Sequence, residues 1–267
     1  MTDDLDLAAY FARIGWQGGT RPTFETLAGL LRAHTGAIPF ENLDVLLGRP
    51  VRLDLDGLQD KLVRRRRGGY CFEHATLFAA VLRRLGFAPT PHAARVVVAR
   101  PKEETPRGHM FLTVPLEGER YVVDPGFAAY TSRQPLPLRP GDPSGNASHV
   151  FTHDGDRWTL HARRDGALLP GWITTLEEDY PVDFEMANHW TATCPSSPFT
   201  QVMMMSAATK DGRVNVMNRD VTVIGTDGTA KRELTDRREL RALLADHFGF
   251  DLPEAETLIV PAIAEWR

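Results

Sequence analysis

The spacing of apolar residues changes along the chain. Two early stretches, 7–14 and 24–31, carry apolar residues at helical spacing. A third stretch, from Cys71 to Leu85, also carries apolar residues at helical spacing. Gly86 predicts the end of this helix because glycine commonly caps helices. The glycine pair at 68–69 predicts a turn immediately before it. The chain up to residue 90 is therefore predicted to be mostly helical.

After Pro89 the pattern becomes that of strands separated by Gly, Pro and Asp clusters. Strands are predicted over 94–99, 109–114, 121–124, 158–163, 200–207, 214–217 and 221–225. An amphipathic helix is predicted over 236–249. Helices followed by strands, and then by strands with a helix, indicate the α+β class rather than a parallel α/β sheet.

Composition restricts the partners and the compartment. The 267 residues include 31 Lys and Arg against 35 Asp and Glu, a net charge of −4 without the positive excess expected for nucleic-acid or acidic-membrane binding. No apolar run approaches the ~20 residues needed to cross a bilayer. The N-terminus carries acids where a secretory signal would carry bases. We therefore expect a cytoplasmic protein with a small-molecule or protein partner.

Cys71 is the strongest candidate for a catalytic nucleophile. It follows the glycine turn at the start of a helix, where unpaired N–H groups and the helix dipole favour a thiolate. The alternative is a cysteine that only packs in the core, as most free cysteines do. A base close to the thiol would distinguish the two interpretations.

His109 and Asp124 are the candidate base and its orienting group. They lie on two predicted strands joined through residues 116–119. A two-residue hairpin loop at 116–117 or at 117–118 would place Asp124 directly or diagonally opposite His109 on one face. Asp124 would then hold one ring nitrogen of His109 while the other pairs with the thiol. The alternative is an ordinary polar cross-strand pair.

Other polar residues are weaker candidates for catalysis or for ligand binding. His74 lies one helical turn after Cys71, near a positive helix end that disfavours an imidazolium. Cys194 has no second ligand at metal-site spacing, so no metal site is expected. The arginines at 64–67 are typical of a solvated face, although one could pair with Glu41. Phosphate-loop and dinucleotide-binding motifs are missing from the sequence.

Four segments together resemble the arylamine N-acetyltransferases. They are Ile38–Asp44 (IPFENLD), Arg67–Glu73 (RGGYCFE), His109, and Val123–Phe127 (VDPGF). The resemblance implies a helical bundle at 1–90, a central antiparallel β-barrel at 91–190 and a C-terminal α/β lid at 191–267, with a cysteine-protease-like core. It places the catalytic triad on Cys71, His109 and Asp124.

The resemblance also implies a ping-pong acetyl transfer. Acetyl-CoA would be a co-substrate, with no permanently bound cofactor and no metal, and the acceptor an arylamine, arylhydrazine or N-hydroxyarylamine. Gly126, Phe127 and Ala128 would border the coenzyme and substrate cleft, and Glu41 with Arg67 would support the active-site turn. No nucleic-acid or membrane partner is expected, and the protein would be a monomer or homodimer.

The sequence departs from the family pattern in places. Ala75 and Cys194 stand where asparagine and histidine are frequent, Pro125 replaces an aliphatic residue and Ala128 a glycine. Three alternatives stay open: a macrolactam-forming amide synthase with a carrier-bound acyl donor, a cysteine hydrolase of transglutaminase or papain type, and a non-catalytic binding module. The intact triad argues against the last.

Overall fold

The computed structural model describes residues 5–141, 147–164 and 166–266. The helices are α1 (Leu7–Ile14), α2 (Phe24–Ala37), α3 (Leu43–Leu46), α4 (Leu55–Leu58), α5 (Cys71–Arg84), α6 (Pro181–Thr193), α7 (Pro198–Gln201) and α8 (Arg237–Leu243). Two π-helical segments, Gln59–Arg64 and Leu244–Phe248, continue α4 and α8. Short 3₁₀ turns lie at Lys102–Glu104, Ala128–Tyr130 and Pro253–Thr257.

The strands form two antiparallel sheets. They are β1 (Phe40–Glu41), β2 (Thr90–Val96), β3 (His109–Leu116), β4 (Glu119–Val123), β5 (Leu136–Pro137), β6 (His149–Asp154), β7 (Arg157–Arg164), β8 (Ala167–Thr174), β9 (Met204–Thr209), β10 (Gly212–Met217), β11 (Asp220–Gly225) and β12 (Gly228–Glu233). The larger sheet has the order β5-β4-β3-β2-β8-β7-β6, and bridges from residues 140–141 to Phe151 nearly close it into a barrel. The smaller has the order β1-β9-β10-β11-β12.

Three apolar cores connect these elements. The first packs the N-terminal helices against one face of β2 and β3, the second fills the larger sheet around Trp172, and the third lies between the smaller sheet and α8. The α+β class, with helices, a barrel-like antiparallel sheet and a mixed C-terminal part, is confirmed. Within the described ranges, every helix is too short or too polar to cross a membrane.

The helix predicted from Cys71 is present, and local contacts explain both of its ends. Glu73 Oε2 accepts a hydrogen bond from the Tyr70 amide at 3.0 Å, satisfying a backbone donor just before the first turn. At the other end Gly86 has a φ of 85°, and its amide and that of Phe87 donate to carbonyls of the last turn. This left-handed ending favours glycine and stops α5.

Two predicted boundaries are wrong. The strand predicted over 200–207 begins only at Met204, because Ser197 Oγ accepts from the Phe199 amide and Pro198 opens the short helix α7. The strand predicted over 94–99 is β2, which begins at Thr90 and ends at Val96. The helix predicted over 236–249 is present as α8 followed by the π-helical segment, and Gly249 ends it with a φ of 78°. Strands β1, β5, β6, β8 and β12 were not predicted. In β12 every residue is exposed, so no apolar alternation marks it.

Candidate active site

The turn before Cys71 requires glycine at positions 68 and 69. A Cβ on Gly68 would lie 2.3 Å from the Pro39 carbonyl oxygen, and one on Gly69 would lie 2.6 Å from the Glu73 carboxylate. The Gly69 amide donates to Pro39, and the Gly69 carbonyl accepts from Glu41. The backbone of Gly69 therefore pairs with β1 at Phe40. This pairing fixes the position at which α5 begins.

A buried ion network lies beneath this turn. Arg67 contacts Glu41 at 2.7 Å and Asp44 at 3.2 Å. Lys61 contacts Asp44 and Glu73, each at 2.8 Å. Burial lowers the pKa of Lys61, but the surrounding carboxylates outweigh it and hold that pKa above its usual range. The sequence pointed to Glu41 and Arg67 but not to the other three members, which come together only in the tertiary fold.

The hairpin of β3 and β4 brings His109 to Asp124. Its loop is the pair Glu117-Gly118, both with positive φ, as a two-residue turn of this twist requires. The register pairs Leu112 with Val123, so Asp124 lies diagonally opposite His109. His109 Nε2 donates to Asp124 Oδ2 at 2.8 Å.

Cys71 completes the group. His109 Nε2 is engaged by Asp124, which leaves the other ring nitrogen for a hydrogen bond with Cys71. The Cys71 thiol also lies 3.8 Å from the Gly108 carbonyl oxygen. All three side chains are buried.

Trp172 is a site residue that the sequence did not reveal. Its Nε1 donates to Asp124 Oδ2 at 3.0 Å, and the Gly126 amide donates to Asp124 Oδ1 at 3.3 Å. The Trp172 ring is fully buried and stacks on Phe111. The sequence offers only a general indication of this role, since a buried tryptophan needs an acceptor for its N–H.

Electrostatics keep His109 charged at neutral pH. Burial lowers the pKa of His109, but the Asp124 charge, its hydrogen bond and the contact with Cys71 outweigh burial and raise that pKa to about 10. A protonated imidazole beside a sulfur stabilises the thiolate, which is the nucleophilic form. The arrangement can therefore form and transfer covalent acyl groups.

His74 does not serve Cys71. Its Nε2 donates to the Pro39 carbonyl at 3.1 Å, and its Nδ1 lies 2.8 Å from His34 Nε2. Burial lowers the pKa of His74 to about 4. His74 is a neutral structural group in the helical region.

The segment after Asp124 lies directly against the nucleophile. A Cβ on Gly126 would lie 2.6 Å from Cys71 Cα, so only glycine fits there. The buried Phe127 ring packs on the His109 ring at a centroid distance of 4.8 Å. Ala128 has a φ of 48°, a left-handed conformation that glycine adopts more easily, and lines a cavity together with Pro125.

Cys194 is distant from this group in the sequence. It follows α6 as the C-cap residue, and its sulfur lies 3.2 Å from the Ser196 hydroxyl. Among residues 5–141, 147–164 and 166–266, no cluster of three or more His, Cys, Asp or Glu side chains could hold a metal ion.

Comparisons with known proteins agree on one family. The N-acetyltransferase family model matches residues 23–257. The arylamine N-acetyltransferase of Mycobacterium tuberculosis is 39% identical over 264 residues, covering 94% of this chain and 91% of that protein. An arylamine N-acetyltransferase / N-hydroxyarylamine O-acetyltransferase of Salmonella typhimurium is 37% identical, covering 77% and 74%. The structure of the Mycobacterium marinum arylamine N-acetyltransferase in complex with CoA matches with a TM-score of 0.87 at 35% identity, covering 94% of each chain.

Proposed function

The chain belongs to the arylamine N-acetyltransferase family, and on that premise we propose that Cys71, His109 and Asp124 transfer an acetyl group from acetyl-CoA to an aromatic amine. It is an acyltransferase, and the acceptor would be an arylamine, arylhydrazine or N-hydroxyarylamine. The observation that carries the proposal is the buried line of hydrogen bonds from Cys71 through His109 to Asp124.

In the first half-reaction the Cys71 thiolate attacks the carbonyl carbon of the acetyl thioester. The carbon–sulfur bond to the coenzyme breaks, CoA leaves as a thiolate and takes the proton from the His109 imidazolium. The acetyl group is then held on Cys71 as a thioester, which keeps it activated for a second transfer.

In the second half-reaction the amine nitrogen attacks the Cys71 thioester. Neutral His109 accepts a proton from that nitrogen as the amide bond forms and the Cys71 carbon–sulfur bond breaks. The products are the acetylated amine and the original thiolate–imidazolium pair. Asp124 stays ionised throughout and holds His109 in the orientation that serves both steps.

The neighbouring residues have supporting roles in this proposal. Gly126, Phe127 and Ala128 would border the coenzyme and substrate cleft, which their position beside Cys71 and His109 supports. Glu41 and Arg67 would support the turn that presents Cys71, as their buried contact suggests.

We also propose a domain division, a cellular location and an oligomeric state. Three domains, 1–90, 91–190 and 191–267, are supported by the three apolar cores, although the first core also includes residues from β2 and β3. A cytoplasmic location is supported by the two free cysteines, Cys71 and Cys194, which are typical of a reducing compartment. A monomer or homodimer is proposed from the family resemblance.

The test is the intact mass of the protein after mixing with acetyl-CoA alone. We expect a gain of roughly 42 Da, one acetyl group on the nucleophile, that disappears when an arylhydrazine is added. Cys71→Ala should show no gain, and Cys194→Ala should behave as the unmodified chain does.

Other results would contradict the proposal. An adduct that survives in Cys71→Ala would remove the nucleophile assignment. No adduct on the unmodified chain would favour a carrier-bound acyl donor, and rapid loss of the adduct without any amine would favour a hydrolase.

A further inference from the structure

Lys61 joins two parts of the ion network beneath the turn that precedes Cys71. Its Nζ lies 2.8 Å from Asp44 Oδ2 and 2.8 Å from Glu73 Oε1. Asp44 also contacts Arg67. For the buried Glu73, Lys61 is the only cation within ion-pair distance in the part of the chain that the structure describes. Removal of Lys61 would therefore leave Glu73, but not Asp44, as a carboxylate without a cationic partner.

Glu73 connects this contact to the backbone before the nucleophile. While Lys61 holds Oε1 of the carboxylate, Oε2 accepts a hydrogen bond from the Tyr70 amide at 3.0 Å. Gly69 packs on the same carboxylate, since a Cβ there would lie 2.6 Å from Oε2. Tyr70 directly precedes Cys71. The orientation of this one carboxylate therefore holds the peptide unit from which α5 and the nucleophile begin.

The backbone around Lys61 is itself held in place. Lys61 lies in the π-helical segment Gln59–Arg64, and such segments are rare and occur frequently at functional sites. Its carbonyl accepts a hydrogen bond from the Arg67 amide at 3.0 Å. The buried Arg13 side chain donates to the next carbonyl, that of Leu62, at 2.9 Å. These contacts fix the point from which the lysine side chain extends towards Glu73.

The charge of Glu73 depends on Lys61. Burial raises the pKa of Glu73, while the Lys61 charge and its hydrogen bond oppose that rise. Without the lysine, the carboxylate would have to bind a proton or draw water into the turn, because an unpaired buried charge is costly. Either change disturbs its hydrogen bond with the Tyr70 amide. Glu73→Gln avoids the charge and keeps a carbonyl oxygen that can accept from this amide.

We propose that Lys61 is a positioning residue for the nucleophile, which holds the Glu73 carboxylate against the Tyr70 amide and thereby places Cys71 beside His109. The inference rests on the proposed acetyl transfer and adds a residue that acts on its rate through Glu73, without contact with the reacting atoms. A residue of this kind affects the rate at saturating acetyl-CoA and leaves the binding of acetyl-CoA unchanged.

The first experiment measures single-turnover acetyl-enzyme formation by intact mass over a range of acetyl-CoA concentrations. In Lys61→Met we expect the saturating rate to fall about tenfold or more, because a displaced nucleophile loses its alignment with His109. The acetyl-CoA concentration that gives half of this rate should stay the same. Lys61→Arg keeps the charge and should lose less of the rate. The matched control is Lys231→Met on the exposed strand β12, which should behave as the unmodified chain does.

The double variant Lys61→Met/Glu73→Gln distinguishes positioning from a general contribution to folding. It has no unpaired carboxylate at position 73 but keeps an acceptor for the Tyr70 amide. We therefore expect it to fold and to regain much of the rate that Lys61→Met loses. Urea unfolding of each variant shows whether the rate follows the state of position 73 or only the overall stability.

Alkylation of Cys71 by iodoacetamide needs no acyl donor, so it tests Lys61 even if the proposed acetyl transfer fails. In a Cys194→Ala background, Lys61→Met should slow this alkylation at neutral pH, and the added Glu73→Gln should restore it. An unmodified chain that is alkylated at Cys71 but forms no acetyl adduct would contradict the proposed function alone.

Three results would overturn the role of Lys61. The first is a folded Lys61→Met protein that forms the acetyl-enzyme and is alkylated as fast as the unmodified chain. The second is a double variant that fails to fold or regains no rate, since Lys61 would then act through a group other than Glu73. The third is a higher half-saturating concentration of acetyl-CoA in Lys61→Met, which would assign the lysine to coenzyme binding.

Discussion

Two buried histidines near Cys71 have opposite electrostatic environments. His74 lies on α5 one turn after the cysteine, and His109 lies on β3, distant in sequence. Both are almost completely inaccessible, at 1% and 2% exposure. The pKa of His74 is lowered to about 4, whereas that of His109 is raised to about 10.

Their hydrogen-bond partners explain the difference. The Tyr10 hydroxyl donates to His34 Nδ1, His34 Nε2 donates to His74 Nδ1, and His74 Nε2 donates to the Pro39 carbonyl. Each ring in this chain needs only one proton, so burial keeps both histidines neutral. His109 instead donates to a carboxylate, whose charge offsets the cost of burying an imidazolium. A carboxylate partner, not closeness to Cys71 in sequence, makes a buried histidine suitable for acid–base chemistry.

The strongest way to break this contrast is to remove the carboxylate. Asp124→Asn should lower the rate of acetyl-enzyme formation by about ten thousand-fold, because His109 loses both its orienting acceptor and the charge that favours its imidazolium. Single-turnover mixing with acetyl-CoA, followed by intact mass, measures this rate.

The control for that experiment is Asp154→Asn, which changes an exposed aspartate of β6 and should keep the full rate. A rate for Asp124→Asn within tenfold of the unmodified chain would show that Asp124 does not set the state of His109.

The lowered pKa of His74 should make the free energy of unfolding depend on pH. Because the pKa of His74 is lowered from 6.5 to about 4 in the folded state, the unfolded chain takes up this proton first as the pH falls. Neutral His74 therefore contributes fully to the free energy of unfolding above pH 6.5. This contribution, about 3 kcal/mol in total, is lost as the pH falls towards 4. His109 acts in the opposite direction, with a contribution lost as the pH rises from 6.5 to about 10.

Urea unfolding at pH 7.5 and pH 5 measures this effect. In His74→Gln the loss of unfolding free energy between the two pH values should be smaller than in the unmodified chain, whatever its absolute stability. His189→Gln, which removes an exposed histidine of α6, should keep the full loss. Equal losses in all three proteins would mean that His74 titrates normally in the folded state.

The sequence predicted the parts of the site that depend on local structure. The start of α5 follows from a glycine turn and one apolar stripe, and the position of Asp124 follows from the two registers that a short hairpin allows. The structure has the second register, with the loop at 117–118.

The site residues that the sequence does not predict depend on contacts between distant segments. Lys61 and Asp44 are polar residues in ordinary positions until the fold brings them under Arg67. Trp172 lies on β8, whose apolar pattern is interrupted by Pro170 and Gly171. The sheet accommodates that interruption by a register shift against β7 at Leu160, which no local pattern indicates.

The support of Asp124 can be weakened while its charge stays in place. Trp172→Phe removes the indole donor to Asp124 Oδ2 but keeps an aromatic ring against Phe111. We expect kcat to fall about tenfold, as for loss of a hydrogen bond to a charged group, with KM unchanged because Trp172 is fully buried and meets no substrate. The alkaline limb of the pH–rate profile should also move to lower pH, since a less well-held carboxylate favours the imidazolium less.

Trp158→Phe, a tryptophan of β7 in the same sheet, is the control and should change neither kcat nor the profile. If Trp172→Phe lowered only the thermal stability and left kcat and the pH profile as they are, its hydrogen bond would be structural and Asp124 would be positioned by the hairpin alone.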